Sequence, residues 1–442
     1  MNTNFESVVD VVKQNPKLVA ADDYELVCQN RESYFKHFKN GEPVDESKTA
    51  LWWVQIRVVQ RKSLGVASTV LCDPGELSLL VDRALDLASN TAVDPWFRFP
   101  LWKAQPDFLN GVQNASGSSF VFDQEFLKSL YPQLNKAPVA LEEKYTHQLD
   151  NRLIIRKSEK TSRQGSSEVK KFHFGIVNEN PSGFFQLEET RAHSAPFKAK
   201  EIFFDKLMNK ANRLTTGSAS SNTPRGRYIL SGQVMASLLK TLANDLSGAY
   251  VVRGRSKFSN NLSERLFSDQ ITIIDSGVLM GGEGSQSFDL EGTASQETVL
   301  MEKGILKTFL HDASTAARYN RASTANMVFS DSKIPVIGVT NLYIKPSQTS
   351  LFTLFKTMGD GFYLESIEKV AKDLTRDGKL ELVGHGWRVK DGDPVEPITQ
   401  AFFKFDPIEI FKEIKMVSED LDFWGRFGAP SVLLEEMPLS DV

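Results

Sequence analysis

Apolar residues follow two different rhythms along this chain. Residues 5–14 predict a short helix, and from Tyr24 the pattern turns to β. Tyr24 to Cys28 and Tyr34 to Phe38 read as short strands rich in aromatic and β-branched residues, and Asn40-Gly41 is a turn signal. Leu51 to Val59 is the strongest strand in the first half, and Arg61-Lys62-Ser63 turns the chain into a further strand over Gly65 to Val70. A helix then opens at Pro74 and Glu76. Its Leu77, Leu80, Val81, Ala84, Leu85 and Ala88 fall on one face at three- and four-residue spacing.

Pro95 to Pro106 reads as a Trp-, Phe- and Pro-rich connector, and 110–119 as a small-residue loop. Strands are predicted at Leu153 to Ile155 and Phe172 to Val177, and a helix near 197–213. Thr215 to Arg227, rich in Ser, Thr, Gly and Pro, is the best domain boundary. Beyond it Tyr228 to Leu230 is a strand. Ser231 caps a helix running to about Leu246, with Val234, Met235, Leu238, Leu239, Leu242 and Leu246 on one stripe before Gly248. The remainder reads as strands and hairpins (Gln270 to Ile274, Thr298 to Met301, Ile305 to Phe309), with shorter helices near 311–319, 350–357 and 407–417.

The expected fold class is α+β: an N-terminal strand layer covered by a long helix, then a strand-rich C-terminal domain with a few helices. The expected segments are 1–100, a central 101–222, and 223–442, within the range of about two to four domains that the length allows.

Composition narrows the function classes. Hydrophobic residues make up 41% and charged residues 24% of 442, which excludes a mostly disordered chain and a coiled-coil rod. A net charge of −4 offers no electrostatic footprint for nucleic acid. The densest basic stretch, Arg152 to Lys171, is interrupted by Glu159 and Glu168 and reads as a solvated strand or loop face. No window approaches the length of apolar run that spans a membrane, and the first residues lack the features of a secretory signal. Two cysteines, Cys28 and Cys72, suit a reducing compartment, so the expectation is a cytoplasmic protein with unpaired thiols.

Most local chemical motifs are missing. His37, His147, His173, His193, His311 and His385 form no pair at metal-ligand spacing. Asp373 to Gly378 begins like a calcium-binding loop, but Gly384 stands where a bidentate Glu is required. Gly281-Gly282-Glu283-Gly284 lacks the context of a phosphate-binding loop, and there is no Gly-x-Ser-x-Gly elbow. No cofactor is expected.

One segment is more specific. Ser285-Gln286-Ser287-Phe288-Asp289-Leu290-Glu291-Gly292, followed by the hairpin-like run from Thr298 to Asp312 and a helix over Ser314 to Arg318, resembles the C-terminal domain of the TldD/PmbA family. Thr340 to Ile344, Gly386 to Val395 and the N-terminal layer with Ser63 to Thr69 fit the same resemblance. The family's usual Thr-Gly-Asn is Thr324-Ala325-Asn326 here. In that family, TldD-like subunits carry a helical HExxxH whose histidines, with a later cysteine, hold zinc, while its glutamate polarises water. PmbA-like subunits, also called TldE, lack the motif and pair with a TldD-like one. Here Leu239 and Asn244 stand where the histidines would be and Lys240 where the glutamate would be, and no cysteine follows Cys72.

The resemblance therefore implies a metal-free PmbA/TldE-like subunit of a cytoplasmic peptidase assembly. A TldD-like subunit would supply zinc, and unfolded peptide would be the substrate. The alternative is a homodimeric peptide-binding protein of the same fold. The family's other name, modulator of DNA gyrase, suggests a nucleic-acid regulator, which the charge balance opposes. Asp289 and Glu291 have two readings. On an extended segment, carboxylates two residues apart face one side and would orient a peptide or act on a proton. Alternatively they accept local backbone N–H groups and fix a turn.

Overall fold

The computed structural model describes residues 5–39, 42–70, 74–97, 99–100, 102, 139–159, 162–178, 186–193, 218–219, 225–330, 334–369 and 378–438. The first layer is a six-stranded antiparallel sheet. It is built from β1 (Asp23–Lys39), β2 (Glu42–Gln60), β3 (Ser63–Val70), β4 (Val139–Arg156), β5 (Arg163–Asn178) and β6 (Gln186–His193), in the order β3-β2-β1-β4-β5-β6. The two runs expected at Tyr24 and Tyr34 are one long strand, because every residue from Asp23 to Lys39 finds a partner on β2. Nor does the sheet break at residue 100. β4 pairs directly with β1 from Glu25↔Arg156 to Lys39↔Glu142, so residues of the expected central segment complete the N-terminal layer.

Three helices lie on one face of this sheet: α1 (Phe5–Gln14), α2 (Pro16–Ala20) and α3 (Pro74–Asn90). Asn15 caps α2 through its side-chain oxygen, a short element that the hydrophobic pattern did not reveal. Leu77, Leu80, Val81 and Ala84 of α3 are buried against Leu26, Cys28, Val54, Ile56 and Val58. Each of the larger side chains contributes roughly 1.5–3 kcal/mol by leaving water. Gly65 lets α3 cross β3 closely, since a Cβ there would lie 1.9 Å from the Ala84 carbonyl oxygen.

The C-terminal domain holds two larger sheets. The first contains β7 (Ser218–Ala219), β8 (Tyr228–Leu230), β15 (Gly361–Lys369), β16 (Leu380–Lys390), β17 (Asp393–Phe405), β18 (Ile414–Val417) and β21 (Val432–Leu434). The second contains β9 (Ile273–Ser276), β10 (Glu297–Glu302), β11 (Ile305–Leu306), β14 (Leu342–Ile344), β19 (Asp422–Trp424) and β20 (Phe427–Ala429). A two-strand ribbon, β12 (Met327–Phe329) with β13 (Pro335–Ile337), completes the strands.

Between these sheets lies α4 (Gly232–Leu242), with α5 (Gly248–Val252), α6 (Ala313–Arg318), α7 (Leu351–Met358) and α8 (Pro407–Glu413) around them. Ser231 caps α4 as expected, its hydroxyl accepting from Val234 N at 3.2 Å. The helix ends at Leu242 rather than near Leu246, because residues 243–246 turn to bring Leu246 O onto Leu310 N. The helix expected over 407–417 likewise stops at Glu413. Ile414 to Val417 is recruited as β18 by pairing with β21. The expected elements at 110–119 and 197–213 lie outside the described residues.

Candidate functional site

The segment Ser285 to Gly292 joins the two layers. Phe288 and Leu290 are buried with Val27 and Ile154 of the N-terminal sheet, and Trp53 and Trp102 pack against them. Phe288 lies so close over Gly165 that a Cβ there would meet its ring at 2.9 Å. From the sheet, Arg152 Nη1 donates to Phe288 O at 3.0 Å and to Gln286 Oε1 at 3.2 Å. Trp53 meets Phe329 edge to face at 4.3 Å between centroids.

The segment is a tight turn and not an extended strand, so of the two readings Asp289 follows the second, a carboxylate that accepts local backbone N–H groups and fixes a turn. Gly292 N donates to Asp289 O at 3.1 Å, with Gly292 at φ +71°. Asp289 Oδ1 accepts from Glu291 N and Thr293 N, each at 2.9 Å, and Oδ2 accepts from Met327 N at 3.1 Å. A carboxylate two residues before its N–H donor is the geometry of an Asx turn. Burial pushes the Asp289 carboxyl above its ordinary range, and the backbone donors oppose that rise. Ser285 is half-buried, its hydroxyl donating to Leu279 O and accepting from Asn341 Nδ2 at 3.0 Å.

Glu291 points the other way, into a charged cluster under the sheet. Its Oε1 accepts from Arg57 Nη1 at 3.0 Å and its Oε2 from Ala313 N, at the start of α6, at 2.8 Å. Arg57 also bonds Glu25, and Glu25 in turn bonds Arg156, so the four side chains alternate in charge. All four are buried. Arg156 Nη2 further donates to Glu291 O at 3.0 Å. Phe99 and Trp102 cover the cluster, with Arg156 4.9 Å and 4.7 Å from their ring centroids. Burial disfavours the Arg57 charge, but the facing Glu25 and Glu291 outweigh it and hold Arg57 above its ordinary value. Burial pushes the Glu291 carboxyl up, and Arg57 opposes that rise.

Little in the local sequence pattern points to this cluster. Gln55 and Arg57 alternate with Val54, Ile56 and Val58, which reads as an ordinary solvated face. The Arg152 to Lys171 stretch was expected to be solvated as well. Arg156 and Arg163 are instead buried, and burial lowers Arg152 to about 10.

The positions that would form the zinc motif are set apart from this cluster. Leu239 is fully buried in the core between the C-terminal sheets. Lys240 is exposed, its ammonium 5.8 Å from the centroid of the Phe427 ring. Asn244 is exposed in the turn after α4. Leucine offers no donor atom, and an ammonium repels a dication, so a zinc ion does not fit these side chains. Among the described residues, no three His, Cys, Asp or Glu side chains come together as metal ligands. Cys28 is buried, and burial pushes its thiol up, the reverse of an activated nucleophile. Cys72 lies outside the described residues.

A second polar centre braces the turn from behind. Asp275 is buried and accepts from Thr340 Oγ1 at 2.6 Å, Thr340 N at 2.9 Å and Asn326 Nδ2 at 2.7 Å. Thr324 Oγ1 accepts from His311 N at 2.7 Å. Between them Ala325 adopts φ +60°, a left-handed conformation that explains why glycine is usual at this position in the family the segment resembles.

Residues 223–441 match the PmbA/TldA metallopeptidase C-terminal domain. An uncharacterized protein of Methanocaldococcus jannaschii is 30% identical over 250 residues, covering 56% of this chain and 58% of its own length. A metalloprotease TldD homolog of Buchnera aphidicola is 29% identical over 228 residues, 50% of this chain and 47% of its own. This chain thus spans about half the length of the curated relatives it matches. Two crystal structures resemble it over almost its whole length. TldE from Thermococcus kodakarensis has a TM-score of 0.81 at 16% identity, covering 98% of this chain and 100% of that one. A proposed modulator of a DNA gyrase from Thermotoga maritima has a TM-score of 0.81 at 17% identity, covering 99% and 100%. At that identity the likeness is one of fold. Residues 223–441 thus form a PmbA/TldA metallopeptidase C-terminal domain, and both layers share the fold of these structures.

Proposed function

We propose that this chain is a PmbA/TldE-like, zinc-free subunit that works beside a TldD-like, zinc-bearing subunit in the cleavage of unfolded peptides in the cytoplasm. The observation that carries this reading is the fate of the motif helix. α4 keeps its buried apolar stripe, while Leu239, Lys240 and Asn244 offer neither ligands nor a general base. Asp289 and Glu291 do not fill that gap. Their oxygens are engaged by backbone N–H groups and by Arg57, so they serve to hold the turn and the seam between layers. In this reading the chain contributes surface, and substrate is held through backbone hydrogen bonds in a sequence-tolerant way.

The test is reconstitution. The purified chain, a TldD-like subunit carrying HExxxH, and an unfolded peptide are combined singly and together. The reading expects chelator-sensitive cleavage that requires both proteins. Chelator-sensitive cleavage by this chain alone would overturn it, as would cleavage by the zinc-bearing subunit at a rate that this chain leaves unchanged.

A further inference from the structure

A cleft opens at one end of the second C-terminal sheet, where three neighbouring strands start, turn or stop together. β9 begins after Thr272, β10 turns into β11 at Lys303-Gly304, and β14 ends before Lys345. The backbone ties these ends to one another. Lys303 N donates to Thr272 Oγ1 at 3.1 Å, Lys345 N to Thr272 O at 2.9 Å, and Gly304 N to Ile271 O at 2.7 Å. Lys303 and Gly304 both take positive φ, +46° and +76°, as a two-residue hairpin turn of this kind requires. Ser347 is held by β18 and the residue after it, its hydroxyl donating to Val417 O and its N–H to Ser418 O at 3.0 Å. These residues line a cavity of about 380 Å³, within the roughly 300–1,000 Å³ of small-molecule sites. Its wall carries both signs of charge, from Asp269, Lys303 and Lys345, all exposed. Among the described residues neither ammonium has a carboxylate within 4.0 Å, Asp269 included. Glu302, beside Lys303, is already paired with Lys307 at 3.3 Å, and Asp269 Oδ1 accepts from Gln270 Nε2 at 2.9 Å.

We propose that this cleft binds a small zwitterion, a free α-amino acid or a dipeptide, with its carboxylate at Lys303 and Lys345 and its ammonium at Asp269. The charges of the wall select that class. A simple anion would suit the two lysines but be repelled by Asp269, and a simple cation would be repelled by both lysines. A molecule with one charge of each sign at its two ends satisfies all three side chains. The Thr272 hydroxyl oxygen accepts from Lys303 N, which leaves its own proton to donate to a carboxylate oxygen. Pro346 adds an apolar wall for a small side chain. The cleft is separate from the zinc-motif positions. Phe427, which Lys240 faces, pairs with Leu342 at the other end of β14.

Ligand-observed NMR titration of the full chain tests this with alanine, alanyl-alanine, N-acetyl-alanyl-alanine and alanyl-alanine amide as probes. No zinc-bearing subunit is present, so the outcome is decided independently of the proposed function. At least one of the two free zwitterions is expected to bind saturably, and whichever binds sets the length of the ligand. The acetylated probe keeps only the carboxylate and the amide only the ammonium. Each should bind roughly fivefold more weakly, the upper worth of one exposed ion pair. Lys303→Gln and Lys345→Gln should each weaken the zwitterion by a similar factor. Asp269→Asn should weaken it too, and should also erase its advantage over the acetylated probe by removing the repulsion of a lone carboxylate. Thermal unfolding is the control for folding, since all three side chains are exposed. Absence of saturable binding by either zwitterion overturns the proposal. So do blocked probes that bind as tightly as the free zwitterion, or a zwitterion affinity that the three folded variants leave unchanged.

Discussion

Leu239 and Glu25 carry opposite kinds of burial, and each makes a separate prediction. Leu239 sits among apolar side chains in the C-terminal core, so Leu239→Ala removes transfer energy and leaves a cavity. It should cost roughly 2–5 kcal/mol in urea unfolding. Lys240→Ala and Asn244→Ala, at exposed positions, should stay within about 0.5 kcal/mol. Glu25 lies between Arg57 and Arg156. Glu25→Gln leaves Arg57 paired with Glu291 alone and Arg156 with only Glu159, 3.9 Å away, and should destabilise by about 3–5 kcal/mol. His311 supplies a pH dependence. Burial lowers its imidazole to about 4, whereas the unfolded chain takes up that proton near 6.5. Stability from this group is complete above pH 6.5 and is lost as the pH falls toward 4, by about 3 kcal/mol in total. His311→Gln should flatten that acid limb in unfolding measured across pH 4 to 7. An unchanged limb would show that other groups set it.

At the scale of elements, the sequence was legible wherever one face is dry and the other wet. The stripe of α3 and the Ser231 start of α4 are local signals, and both are where the spacing puts them. Ser231→Ala should therefore cost about 1 kcal/mol in thermal or urea unfolding, because Val234 N loses its acceptor. What local spacing misses is decided by partners far away in the chain. Residues 414–417 continue a helical pattern but are claimed by β21 as a strand. The tract from 29 to 33 has no apolar rhythm of its own, yet it is strand because β2 and β4 flank it on both sides. Asp289 read equally well as chemistry or as turn. Only the fold brings Met327 N to its second oxygen.

At the scale of the molecule, the two layers are pinned by the side chains that made the resemblance specific. Phe288 and Leu290 fill the face of the N-terminal sheet, and Glu291 completes an ion cluster whose other members come from residues 25, 57 and 156. That cluster was invisible in sequence, because a buried arginine on a strand has the same alternation as a solvated one. That Leu239, Lys240 and Asn244 stand at the three zinc-motif positions was legible, because it depends on side-chain identity alone. Among the described residues no helix is long and apolar enough to cross a membrane. The most direct test of the central claim is the zinc content of the purified full-length chain after a mild chelator wash. Elemental analysis should find far less than one zinc per chain. About one zinc per chain, the stoichiometry of a single structural or catalytic site, would contradict the reading of this chain as the zinc-free member of its assembly.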